Sequence, residues 1–124
     1  MNNPEVTMHA RQQATRFDAL EKATTAAGIA ISLVMRVPAP LKPIADQVIR
    51  SASSVPANIA EGTGRSGRDR MYHYRIAYGS AKEVETHLRL LVGTGSINSS
   101  RTDTALHLFD DVRAMTWRLL HPKP

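Results

Sequence analysis

Apolar residues recur at alternating spacings of three and four in four successive stretches of the chain, and each stretch ends in residues that stop a helix. The first runs from Thr15, read as an N-cap, through Phe17, Leu20, Thr24, Ala27, Ile31 and Val34 to the prolines of V-P-A-P at 37–40. The second carries Leu41, Ala45, Val48, Ala52, Val55 and Ile59 and stops at Gly62 and Gly64. The third follows Ser66 and Asp69, which have capping-box spacing, and presents Tyr74, Ala77, Ala81, Val84, Leu88 and Leu91 before G-T-G-S at 93–96. Asn98 or Ser99 opens the fourth, with a seam of Ala105, Leu108, Val112, Met115 and Leu119 closed by His121-Pro122. No segment alternates with period two. The pattern predicts helices over about 16–36, 41–63, 67–92 and 99–120, connected by short loops, hence an all-α, antiparallel up-down-up-down four-helix bundle spanning 15–121. Residues 1–14 lack periodicity and read as a frayed or disordered segment.

At 124 residues the chain fits one domain. Without cysteine it has no disulfide, thiolate nucleophile or cysteine-type zinc site, and with neither an export signal nor a membrane-length apolar run the expectation is a cytoplasmic protein. Sixteen Lys and Arg against eleven Asp and Glu give a net charge of +5. The excess is local: Arg65, Arg68, Arg70, Arg75 and Lys82 face only Asp69 over residues 62–82. Cations of this kind contact phosphates, and Tyr72 and Tyr78 beside them are able to stack on unpaired bases. A solvated basic face, or a dock for an acidic protein partner, has the same composition.

Two polar stripes border the central apolar seams. Arg50, Ser54, Asn58 and Glu61 share one side of the second helix, and Ser80, Glu83 and His87 one side of the third. With Ala77, Gly79, Ser80 and Ala81 letting helices approach, the expectation is a partly buried network in which Arg50 meets Glu61 or Glu83. In it, Asn58 or Ser54 serves the Ala52 carbonyl that Pro56 leaves without a donor; the alternative is a pair of solvated faces. Leu106, Trp117 and Leu120 lie off the fourth seam yet share a face, either as a wide core stripe or as an oligomer contact.

These central motifs, R-S-A-S-S-V-P-A-N-I-A-E-G at 50–62, G-R-S at 64–66 and I-A-Y-G-S-A-K-E-V-E-T at 76–86, with R-F-D-A-L-E-K-A at 16–23, resemble the four-helix bundle proteins encoded in intervening sequences of bacterial 23S rRNA genes. That S23-like family is similar in turn to the accessory variability determinant protein of diversity-generating retroelements. The resemblance covers about residues 16–120. It implies a compact bundle that assembles as a ring-shaped homopentamer, no enzymatic activity, and, for the retroelement relatives, a basic surface for RNA or DNA and a reverse transcriptase partner. Arg50, Ser54, Pro56, Asn58, Glu61, Gly62, Gly79, Ser80 and Glu83 are its signature positions, with a structural role. The chain departs from the pattern in lacking a tryptophan in its first helix and in carrying Arg70 and His73 where aromatic or apolar side chains are usual.

Other chemistry finds little support. Gly62, Gly64 and Gly67 spell G-x-G-x-x-G, but a helix rather than a strand precedes them, which denies the motif its dinucleotide geometry. No E-x-x-H occurs, and His73 and His87 stand about 21 Å apart along one helix. Asp103, His107 and Asp111, or Glu83 with His87, make incomplete ligand sets, so neither metal nor cofactor is expected. Glu61 with Glu83 is the one carboxylate pair able to converge for acid–base work, and the absence of a nucleophile or base–orienter pair argues against catalysis.

Overall fold

The computed structural model of the chain describes residues 4–123, which form four helices: α1 (Pro4–Val34), α2 (Lys42–Thr63), α3 (Gly67–Gly93) and α4 (Ser99–Leu120), with a 3₁₀ turn at Ala39–Leu41. Each helix packs against its neighbours in sequence, and α1 closes the bundle against α4, which leaves α1/α3 and α2/α4 as the diagonals. No described helix is long and apolar enough to cross a membrane.

The helix bounds follow local chemistry, with one correction. α1 starts at Pro4, so the segment read as frayed is helical from residue 4, while residues 1–3 lie outside the described residues. Proline in the first turn needs no donor, and Thr15, read as an N-cap, instead donates from Oγ1 to the Arg11 carbonyl at 2.9 Å in mid-helix. Ser66 has the extended backbone of an N-cap (φ −139°, ψ 160°), but its hydroxyl makes no capping bond; Asp69 supplies charge to the first turn of α3 instead. Asn98 does cap α4, its Oδ1 accepting from the Arg101 amide at 2.8 Å. Between α3 and α4, Gly95 takes φ +73°, its amide donates to the Val92 carbonyl and that of Ser96 to the Leu91 carbonyl. These are the paired bonds of a Schellman stop, which requires a left-handed residue that glycine adopts without strain.

Volume decides which faces turn inward. Of the expected line only Ala27 and Val34 are buried; α1 otherwise turns Ala19, Ala23, Ala26 and Ala30 inward in place of Phe17, Leu20, Thr24 and Ile31, and Phe17 is 62% exposed. Both lines have helical spacing. The alanine face wins because small side chains let α1 sit close to α2 and α4, whose larger residues Val48, Val55, Ile59, Phe109 and Val112 fill the interior. α4 is likewise rotated by about one position from the expected seam. Thr102, Phe109 and Thr116 are buried where Leu108 and Met115 were expected, and these two are only half-buried. The threonines are tolerated because their hydroxyls return to carbonyls four residues back, Thr102 to Asn98 at 2.6 Å and Thr116 to Val112 at 2.7 Å.

One charge pair sits in the α3/α4 seam. Glu85, 9% exposed, accepts from Arg113 at 3.0 Å, and Arg113 also reaches Asp110 at 2.7 Å. Burial pushes the Glu85 carboxyl above its ordinary value, more than the Arg113 guanidinium pulls it down. A carboxyl whose folded pKa exceeds its unfolded one, about 4.3, stabilises the fold fully below the unfolded value and loses that contribution as pH rises through the folded one. The stability of the natural chain relative to Glu85→Gln is therefore expected to grow as pH falls from 7 to 4, read by urea unfolding at each pH. A pH-independent difference would show that Glu85 keeps an unshifted pKa.

Candidate nucleic-acid interface

The α2–α3 corner positions the basic cluster. Gly62 is buried against Tyr74: a β carbon added there would meet the ring at 2.7 Å and the Arg70 carbonyl oxygen at 3.2 Å. Tyr74 Oη lies 3.2 Å from Thr63 Oγ1, and Arg70 Nε donates to the Gly62 carbonyl at 3.1 Å. Arg70 thus neutralises the negative end of the α2 dipole and ties it to α3. Across the corner Gly67 has φ +58°, so the chain turns into α3 through a left-handed residue.

Two of the five clustered cations are spoken for within the corner. Arg65 donates from Nε and Nη2 to Glu61 Oε1 at 2.9 and 2.7 Å, which holds the Glu61 carboxyl below and the Arg65 guanidinium above their ordinary values. Arg70 is held as described. Arg68, Arg75 and Lys82 make no ion pair with any described residue, and all three are exposed. Spaced by seven, they lie along the outer side of α3 with Tyr72 and Gly79 between them, over about 21 Å of helix. Tyr72 is 58% exposed and meets His73 edge-on, with centroids 5.3 Å apart. Tyr78 is half-buried with Lys82 Nζ 5.8 Å from its ring centre. Arg89 continues the seven-residue spacing but stands among Glu85, Asp103 and Asp110. The sequence reading missed it, although the spacing alone marks it.

The polar stripes form a narrower network than expected. Ser54 Oγ and Ser80 Oγ lie 2.9 Å apart across α2 and α3. Asn58 Nδ2 donates to the Ser54 carbonyl at 2.9 Å, not to Ala52, because residue 58 reaches the carbonyl one turn behind itself rather than the one orphaned by Pro56. With that amide group committed, Asn58 Oδ1 accepts from His73 Nδ1 at 2.9 Å, so His73 closes the network. Arg50 reaches Glu83 at 3.5 Å and also Gln47, but its side chain is 71% exposed, and Glu83 lies 3.7 Å from His87. Arg50 does not meet Glu61, which stands eleven residues, about 16 Å, further along α2. Glu61 and Glu83 are consequently at different levels of the bundle, each with its own basic partner, and form no acid–base pair.

Gly79 also differs from expectation: it is exposed, and a β carbon there would meet nothing within 4 Å. Close packing therefore needs glycine at 62 and not at 79. Gly79→Ala is expected to stabilise the isolated chain by about 0.5–1 kcal/mol, since alanine removes the backbone entropy cost of a mid-helix glycine without a clash. Chemical denaturation checks this; a destabilised variant would mean that Gly79 is packed. Of the residues read as core stripe or oligomer contact, Leu106 and Leu120 are half-buried, and Trp117 is 50% exposed with its indole stacked on His121 at 4.1 Å, so Trp117 is no core residue of the chain. Among the described residues no three His, Asp or Glu side chains gather as a metal site.

Fold and surface together define an all-α four-helix bundle with a cationic, aromatic-bearing outer helix. The chain belongs to the 23S rRNA-intervening sequence protein family, whose model matches residues 16–118. Among solved structures it is similar to a protein of unknown function from the S23 ribosomal protein family of Bacteroides thetaiotaomicron VPI-5482, with a TM-score of 0.75, 21% identity, and coverage of 88% of this chain and 96% of that one. That likeness is one of fold. No curated protein matches the chain.

Proposed function

We propose that the chain is a non-enzymatic binding module that holds single-stranded RNA or DNA along the outer face of α3. The observation that carries this reading is the row Arg68, Arg75 and Lys82, exposed and unpaired with any described residue while the neighbouring Arg65 and Arg70 are consumed by internal bonds. An ordinary solvated helix face mixes signs at neighbouring turns. This one presents three cations, an exposed tyrosine and a bare backbone at Gly79, where a strand can come close. The row spans about 21 Å, or roughly six nucleotides at 3.4 Å per stacked residue. Arg and Lys would contact phosphates and Tyr72 a base, with no group placed to read sequence, so binding should be tolerant of sequence and sensitive to salt. The relative described as ribosomal makes RNA the first probe.

An enzymatic reading is less well supported, because the two carboxylates it needs stand apart, each with a basic partner. The test is fluorescence anisotropy of a labelled 12-nucleotide RNA titrated with protein at low salt. A saturable rise is expected, also for single-stranded DNA and for a scrambled sequence; no rise with either nucleic acid would overturn the proposal.

A further inference from the structure

A second cationic surface lies at the end of the bundle where α1, α3, α4 and the chain after α4 converge. A groove of about 660 Å³ there is lined by Arg11 and Arg16 of α1, Arg70 of α3, Arg118 of α4 and Lys123, and no carboxylate is among its described lining residues. Its size is that of a small-molecule site rather than of a packing defect. Tyr74 and Leu119 contribute an apolar floor, and Trp117 an indole that is half exposed. That indole already accepts one planar ring: the His121 imidazole stacks on it at 4.1 Å and 25°, fixed by a 2.9 Å contact between its Nδ1 and the Trp117 carbonyl.

Arg16 gives an independent sign that something belongs here. Its Nε is buried and has no acceptor, the one described buried side-chain nitrogen or oxygen in that condition. A charged side chain with an unpaired buried N–H is costly, and an anion in the groove would give the guanidinium an acceptor through a small shift of the side chain. The convergence of several cations with no described acid selects an anion, and the flat aromatic wall selects one that carries a planar ring. A carboxylate peptide satisfies the first requirement only. A nucleotide satisfies both.

We propose that this groove seats an unpaired nucleotide, its phosphate among Arg16, Arg118 and Lys123 and its base against Trp117. The proposal rests on the reading of α3 as a strand-binding face and extends it, since Met71, which lines the groove, stands three residues and so about one helical turn from Arg68, where the exposed row begins. The groove would thus hold the end, or a flipped base, of the strand lying along α3.

Trp117 is the sole tryptophan of the chain, so its emission reports on the surroundings of that one side chain, and the Arg16 and Arg118 variants assign any change to the groove. The full chain is titrated with an unlabelled 12-nucleotide oligouridylate while Trp117 emission is followed, with anisotropy of the labelled RNA measured in parallel. Expected is saturable quenching at the concentrations at which anisotropy rises. In the double variant Arg16→Gln/Arg118→Gln, with its helix content verified by circular dichroism, quenching should vanish and affinity fall on the order of tenfold. In Arg75→Gln, affinity should fall while quenching at saturation persists. Anisotropy that rises with Trp117 emission unchanged overturns the groove and leaves the α3 face standing. Quenching by oligoglutamate equal to that by RNA also overturns it, in favour of an acidic peptide, and no response in either signal overturns both readings.

Discussion

Replacing Phe109 by alanine is expected to cost about 3–5 kcal/mol. Phe109 is among the largest wholly buried side chains and belongs to α4, which packs on α1, whose buried residues are alanines and Val34. That arrangement makes the loss hard to recover. An alanine face has no long side chain that can swing into the vacated space, so the cavity stays largely open and the cost falls toward the upper part of the range for phenylalanine deletions. Urea or thermal unfolding measures the effect. A loss under 1 kcal/mol would mean that α1 closes onto α4 and that the alanine face is not set by packing.

The second large effect is expected at Gly62. Alanine at an ordinary helical position gains about 1 kcal/mol over glycine, the gain expected at Gly79. At Gly62 its methyl would lie 2.7 and 2.8 Å from two ring carbons of Tyr74 and 3.2 Å from the Arg70 carbonyl oxygen. Tyr74 is 1% exposed and linked through its hydroxyl to Thr63, so the ring has no free path aside, and the carbonyl belongs to backbone. Overpacking of this kind costs about 1–3 kcal/mol, enough to reverse the helical gain. Gly62→Ala should therefore be destabilised, by up to about 2 kcal/mol, while Gly79→Ala is stabilised, a pair of opposite signs from the same substitution. Equal effects at the two positions would contradict the packing described for the corner.

The contrast between these glycines shows what was legible in the sequence. Helix number, order and most bounds follow from spacing, proline and glycine, because these act locally. Which of two faces turns inward does not, as α1 demonstrates: Phe17 and Ala19 belong to lines of equal periodicity, and only the space left by α2 and α4 selects the alanines. In α4, threonine disguised the seam, since Thr102 and Thr116 read as polar until their hydroxyls are found bonded to their own helix. The signature residues divided for a similar reason. Ser54, Asn58 and Ser80 are joined across α2 and α3, whereas Glu61, Gly79 and Arg50 lie outside, and a one-dimensional pattern does not distinguish a stripe at a helix contact from one a few tens of degrees further round.

The basic cluster was visible as composition, but its working members were not. Five cations in a row of residues carry no label for the two that Glu61 and the end of α2 engage. The groove was less visible still, because Arg11, Arg16, Arg70, Arg118 and Lys123 come from four separate parts of the chain and meet only through the closure of α1 against α4. The buried Glu85–Arg113 pair has a sequence trace: Glu85 falls four residues after Ala81 and three before Leu88, an inward position for which an acid needs a partner.

The most direct measurement is the salt dependence of RNA binding by the natural chain and by the variant Arg68→Gln/Arg75→Gln/Lys82→Gln. If these three side chains each hold a phosphate, log affinity falls linearly with log salt, and the slope of the variant is smaller by about two, at roughly 0.7 for each contact to a single strand. Identical slopes in the two proteins would show that the strand is held elsewhere than on the outer face of α3.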